Sequence, residues 1–300
     1  AWGVWENYRH LNDPDRLAYA LPRLTRYLEW NLANRDPNDS GLLAWWIEET
    51  PLSRSGEPGM DNSPRFDEAL TLDAVDFSTF QAHDMEVTTR VAEEIGAEET
   101  ATAWRQRAAA MRSRIHRDLW NDDVGLYCDR KMDGTLSEVK AVSGFLPLLL
   151  PDLPDDRREP LLEHLKNPET FGAVFPIPSV SMDDPAWSTD MWRGATWINL
   201  DYLVREGLQR HGQWEAARSL ERTVLEKVNA YYEQYGVLFE FYDANDEVPP
   251  IACNRKGVRR EPYDIRVKMD SIRDYHWTAA LVVDMLLSRS YRSGEGDSDL

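Results

Sequence analysis

Apolar residues recur at intervals of three or four along much of this chain. Between residues 14 and 34, Leu17, Leu21, Leu24, Leu28 and Leu32 fall on one face, and Pro14 suits a first turn, so a helix is predicted there. The same period through Phe77, Phe80, Val87 and Val91 predicts a helix from about 76 to 95, stopped by Gly96. Further helices are expected over about 98–119, 142–150, 157–165, 191–210, 213–232 and 271–288. The opening string AWGVWENYRHL, with Trp2, Val4, Trp5 and Leu11 apolar, reads as the middle or end of another. Only 237–242 and 125–129 alternate convincingly enough for strands, each beside turn residues.

Sequential helix pairs with so few strands predict an all-α domain. Long, non-repetitive loops rich in Gly, Pro, Asp and Trp separate the pairs at 41–71, 171–190 and 244–270, and ordered loops of that length usually carry function. No linker divides the chain, so one domain is expected over 1–292, followed by a polar, Gly-containing tail at 293–300.

Composition narrows the ligand class. The 53 acidic residues against 34 basic ones give a net charge of −19, which argues against a nucleic-acid partner, since such binding rests on Lys and Arg neutralising phosphates. Twelve Trp, twelve Tyr and eight Phe supply flat faces that suit sugar rings, although core filling uses the same residues. Cys128 and Cys253 are too few for a disulfide framework and have no metal-ligand spacing, which favours the interior of a cell. Neither an eighteen-residue apolar run nor a basic leader is present, so no membrane span or signal peptide is read and a cytoplasmic location is expected. The six His are scattered, DPNDSG at 36–41 reads as a turn rather than a calcium loop, and nucleotide-binding glycine motifs are missing. No metal or cofactor is expected.

Three segments carry candidate chemistry. In GEPGMDNSPRF, Gly56, Pro58 and Gly59 force tight turns before Asp61, and Ser63-Pro64 reads as an N-cap and first helical position; Asp61 is either presented into a cleft or caps that turn. In DPAWSTDMWRGATWINL, Trp187, Trp192 and Trp197 surround Arg193, a planar donor for hydroxyls or a carboxylate, and Gly194, which permits a close approach. In VLFEFYD, Glu240 alternates with Phe239 and Phe241 and so faces away from them. Two distant carboxyls with aromatic walls are what acid/base glycoside cleavage requires: one protonates the leaving oxygen and the other takes a proton from water.

The strings GEPGMDNSPRF, FPIPSVSMDDPAW, DMWRGATWINLDYL, FEFYD and DYHWTAAL, in that order over roughly 41–281, resemble glycoside hydrolase family 63. Members of that family include bacterial mannosylglycerate and glucosylglycerate hydrolases and the processing α-glucosidase I of eukaryotes. The resemblance implies an (α/α)6 barrel and an inverting mechanism, with Asp61 as general acid and Glu240 as general base. Trp192, Arg193 and Trp197 become candidates for holding the sugar, joined by Trp277 of the WTAAL string. Gly59, Asn62, Arg65 and Trp45, in the loop around the acid, complete the expected substrate-binding set.

A full barrel of this kind has twelve helices, and about nine are read here. The barrel is therefore expected to be incomplete at its N-terminus, with an open apolar side covered by another chain or segment. A small α-linked glycoside such as glucosylglycerate or mannosylglycerate is the expected substrate, and Arg54, Arg65 and Arg193 are the possible donors to a glycerate carboxylate. Hydrolysis of a neutral, trehalose-like disaccharide and non-catalytic sugar binding remain the alternatives.

Overall fold

The structure is a computed structural model and describes residues 1–47, 57–255 and 271–295. It is mainly helical: α1 (Trp2–Leu11), α2 (Pro14–Asn34), α3 (Val75–Glu94), α4 (Glu98–Asp118), α5 (Asp155–Lys166), α6 (Ile198–Arg210), α7 (Trp214–Tyr235) and α8 (His276–Glu295). Short strands decorate the connections. β1 (Ala44–Trp46), β2 (Thr71–Asp73) and β5 (Arg130–Lys131) form an antiparallel sheet in the order β1-β2-β5, and β3 (Trp120–Asn121) pairs with β4 (Leu126–Tyr127).

The helices divide by burial. α3 buries residues on most of its faces and packs against α2, α4 and the 3-10 turn Val142–Leu149. α6 packs on the other side of that turn and also meets α7 and α8. An inner row of α3, the 142–149 turn, α6 and α8 is thus backed by α2, α4 and α7. The amphipathic stripe of α2 shows the division, with Leu17, Leu21 and Leu28 buried while Tyr19, Tyr27 and Trp30 face outward.

Several sequence expectations shift at element ends. Residues 142–149 are helical but wound as 3-10, since the segment is apolar on every side and Pro147 removes an N–H from the ladder. The helix expected from 191 begins at Ile198, because 188–193 closes as a turn in which the Ser188 N–H donates to the Arg193 carbonyl at 2.9 Å. The expected strand at 237–242 makes only isolated bridges, Phe239 to Arg273 and Tyr242 to Thr196. α8 starts at 276 rather than 271 and continues to Glu295, so residues 293–295, expected in a tail, are helical. The remainder of that tail lies outside the described residues. Phe80, counted on the apolar stripe of α3, is exposed, as are Trp277, Val283 and Leu287 on α8. No helix among the described residues is long and apolar enough to cross a membrane.

The start of α6 contains a titrating group. Asp201 is 1 % exposed; its Oδ1 accepts the Ile177 N–H at 2.9 Å, and Oδ2 has no partner among the described residues. Burial pushes this carboxyl well above its usual range, against the smaller opposing effect of the Ile177 N–H. The folded chain therefore holds a proton that the unfolded chain loses above about pH 4. Stability then falls as pH rises from there until the folded group also ionises. Asp201→Asn, neutral at every pH, is expected to raise Tm at pH 7 and to flatten its decline between pH 5 and 8. An unchanged pH slope in thermal melts would contradict the assignment.

Candidate active site

The loop leading into α3 presents Asp61. Gly59 takes a left-handed φ of +72°, which a side chain would strain, and the Ser63 N–H then closes a turn onto the Met60 carbonyl at 3.0 Å. Asp61 and Asn62 occupy its two central positions, half-buried. As expected, Ser63 caps and Pro64 opens the next turn, which is a single 3-10 turn, Pro64–Phe66. Asn62 fastens this corner to the second segment: its Oδ1 accepts the Trp192 backbone N–H at 2.9 Å, and its carbonyl accepts from Arg193 Nη1 at 3.1 Å.

The second segment is a wall more than an open platform. Trp192 and Trp197 are both buried and stacked at 3.7 Å and 8°, with Phe241 behind Trp197 at 5.2 Å. The Trp197 indole N–H donates to the Met191 carbonyl at 2.9 Å, whereas the buried Trp192 indole N–H has no acceptor among the described residues. Met191 holds φ at +40°, a strained value for a side-chain-bearing residue, and is bonded on both sides, its N–H donating to the Asn254 carbonyl at 3.1 Å. Gly194 does permit a close approach, but the neighbour is internal: a Cβ there would lie 2.3 Å from the Ser188 carbonyl and 2.5 Å from the Trp187 indole nitrogen.

Two arginines expected to meet substrate are engaged elsewhere. Arg193 closes its fork on Asp67, at 3.1 and 2.6 Å, and thereby ties the Trp192 turn to the Asp61 loop. Arg65 is buried, and its five N–H groups are all used on Asp129, Asp76 and the Met60 sulfur. Its substrate-binding role is therefore corrected to a structural one, because no donor is left to face a ligand. Trp45 belongs to the same knot, donating its indole N–H to Asp76 Oδ1 at 2.9 Å and stacking on Phe77 at 4.0 Å. Arg54 lies outside the described residues.

Glu240 is the carboxylate of the third segment. It is 3 % exposed, its N–H donates to the Ile272 carbonyl at 2.9 Å, and its Oε2 accepts from Arg255 Nε at 2.8 Å and from the Ile272 N–H at 3.3 Å. Tyr275 lies two residues before Trp277, its N–H donating to the Leu238 carbonyl at 3.1 Å. Its phenol is pushed up to about 12, first by burial, then by the charge of Glu240 and, more weakly, by that of Asp61, with Arg255 opposing. Trp277 sits at the start of α8, 44 % exposed, with its ring edge-on to Tyr275 at 5.4 Å. Asp190 adds a further carboxyl to the wall, raised by burial against the Asn254 side-chain bond and the Arg193 charge.

Sequence reasoning missed Tyr275, Arg255, Asn254 and Asp190. Tyr275 and Asp190 stand within quoted strings next to Trp277 and Trp192, a signal of position only. Arg255 and Asn254 lay in a loop without any periodic or motif-like mark.

A profile of the mannosylglycerate hydrolase MGH1-like glycoside hydrolase domain matches residues 1–278. The chain belongs to this family. Among the relatives of this MGH1-like domain, the mannosylglycerate hydrolase of Thermus thermophilus is 26 % identical over 79 % of this chain and 68 % of its own. Mannosylglycerate hydrolase MGH1 of Selaginella moellendorffii is 24 % identical over 74 % of this chain and 54 % of its own. The crystal structure of a GH63 mannosylglycerate hydrolase from Thermus thermophilus with Tris and D-glycerate superposes with a TM-score of 0.70 at 21 % identity, over 93 % of this chain and 74 % of that one. The fold is thus that of the GH63 α/α-barrel enzymes. The chain spans about half the length, or less, of the first curated relatives it matches.

Proposed function

We propose that this chain carries the catalytic carboxylates of an inverting, cytoplasmic glycoside hydrolase that cleaves glucosylglycerate or mannosylglycerate. The observation that carries the reading is a run of hydrogen bonds between the two carboxyl-bearing segments: Asn62, next to Asp61, accepts the Trp192 N–H, Asn254 accepts the adjacent Met191 N–H, and Arg255, next to Asn254, donates to Glu240. Asp61, at the corner of its turn, protonates the leaving oxygen; Glu240 takes a proton from the attacking water. The Trp192 indole N–H and the Trp277 ring are the groups offered to the sugar. Inversion requires the two carboxyls ~6.5–9.5 Å apart with water between them, whereas ~5–5.5 Å serves retention. The exposed Val283 and Leu287 on α8 mark the side on which another segment or chain would complete the barrel.

One- and two-dimensional NMR of early product decides the stereochemistry: the first-formed sugar is expected to be the β-anomer from an α-glycoside. An α-anomer as first product would sink the inverting assignment. A second reading, hydrolysis of a neutral disaccharide, gains from Arg65 and Arg193 being closed on aspartates. Glucosylglycerate is expected to be hydrolysed at least roughly tenfold faster than glucosylglycerol, since a site built for a charged group leaves polar partners unpaired without it. Equal rates on the two, or faster trehalose hydrolysis, would favour the neutral substrate.

A further inference from the structure

Among the described residues, donors hold the carboxylate of Glu240 on one side only. Both of its hydrogen-bond donors, Arg255 Nε at 2.8 Å and the Ile272 N–H at 3.3 Å, reach Oε2, and among the described residues none reaches Oε1. Two donors on one oxygen fix the rotation of the carboxylate plane and leave the other oxygen to accept a proton. Arg255 itself is 19 % exposed and emerges from the same stretch as Asn254. Asn254 is strapped to the wall turn twice, its carbonyl accepting the Met191 N–H at 3.1 Å and its side chain donating to the Asp190 carboxylate. That turn is also the one Asn62 holds, next to Asp61. A continuous run of bonds therefore leads from the Asp61 corner through Asn62, the 190–192 turn and Asn254 to Arg255 and Glu240.

We propose that Arg255 is the positioning residue of Glu240, aiming Oε1 at the attacking water, and that the Asp190–Asn254 strap sets where Arg255 stands relative to the Asp61 turn. The inference rests on Glu240 being the general base. Arg255 acts through Glu240 without needing to touch the sugar, so its loss falls on the chemical step and leaves binding nearly intact.

The test compares Arg255→Met, Arg255→Lys and Glu240→Gln in the full chain, with glucosylglycerate and mannosylglycerate as substrates. Arg255→Met is expected to lower kcat on the order of 100-fold with KM within about threefold of wild type. Arg255→Lys, which keeps the charge and loses the planar geometry, is expected to fall between the two. Unchanged kcat in Arg255→Met, or a loss confined to KM, overturns the inference. If Arg255→Met loses its helical circular dichroism, Arg255→Lys decides: reduced kcat at constant KM supports the assignment, and wild-type kcat overturns it. Glu240→Gln separates the two readings. If it is inactive while Arg255→Met is normal, only the positioning role fails; if it is active, or if the wild-type chain releases no sugar, the general-base reading fails and the inference falls with it.

Discussion

Turnover is expected to fall by roughly 10²–10⁴-fold in Glu240→Gln, with the helical circular dichroism signal unchanged. The amide oxygen can still accept from Arg255 and the Ile272 N–H, so the geometry around residue 240 survives while the ability to take a proton does not. Asp61→Asn is expected to lose a comparable factor. Asn is as well suited as Asp to the centre of the Met60–Ser63 turn, and the change removes only the donated proton. Steady-state sugar release measures both. Near-normal turnover in Glu240→Gln would end the acid/base reading. Near-normal turnover in Asp61→Asn would instead move the acid to Asp190, the wall carboxyl that burial holds above its ordinary range.

Helix periodicity made the scaffold legible because each long helix buries one stripe against the inner row. α2, α4 and α7 repeat their apolar residues at the period of a half-exposed helix, and their expected limits agree with the structure to within about three residues. The period fails where chain direction is set by remote partners. Residues 191–197 continue the apolar rhythm of α6 in sequence, yet Arg193 is drawn to Asp67 and Trp192 to Asn62, so the helix cannot start until Ile198. The 237–242 stretch alternates like a strand, but its N–H groups are shared among Ile272, Ser271, Thr196 and the Tyr242 hydroxyl, and no continuous ladder forms.

The site was readable as strings of unusual residues and unreadable as a network. Asp61, Glu240 and Trp192 stand out through neighbouring glycines and aromatics. Arg255 and Tyr275 acquire meaning only from their relation to Glu240, 15 and 35 residues away in sequence. Arg65 shows the converse error. A cation beside a candidate acid invites a ligand-binding role, and nothing local reveals that Asp76 and Asp129 converge on it.

That convergence makes Arg65→Met the substitution with the largest expected effect on stability, a loss of about 3–5 kcal/mol, because it leaves two buried carboxylates without their shared cation. Both Asp76 and Asp129 are nearly inaccessible, and each has further duties at the start of α3: Asp129 Oδ1 accepts the Val75 N–H at 2.9 Å and Asp76 Oδ1 accepts the Phe77 N–H at 2.8 Å. Neither can turn out to solvent without uncapping the helix. Burial acts to raise Asp76, but the Arg65 charge and hydrogen bonds outweigh it and hold this carboxyl below its usual range. The pair's contribution is therefore complete above about pH 4 and is lost as pH falls through the lowered folded value. In Arg65→Met the Trp45 and Phe77 N–H bonds to Asp76 remain, but burial is opposed by less without the Arg65 charge, so protonation relieves more of the buried charge and the variant loses less stability than wild type as pH falls toward 4. Thermal melts should place the variant on the order of 10 °C below wild type at pH 7, with the gap narrowing at pH 4. Arg65→Lys should recover little, since one ammonium cannot meet two carboxylates and the Met60 sulfur in the planar arrangement seen here. Because Met60 also begins the Asp61 turn, a variant that stays folded should still lose kcat. A melt within about 2 °C of wild type at pH 7 would show that the buried cation is dispensable, and would remove the claim that Arg65 anchors the Asp61 turn to α3.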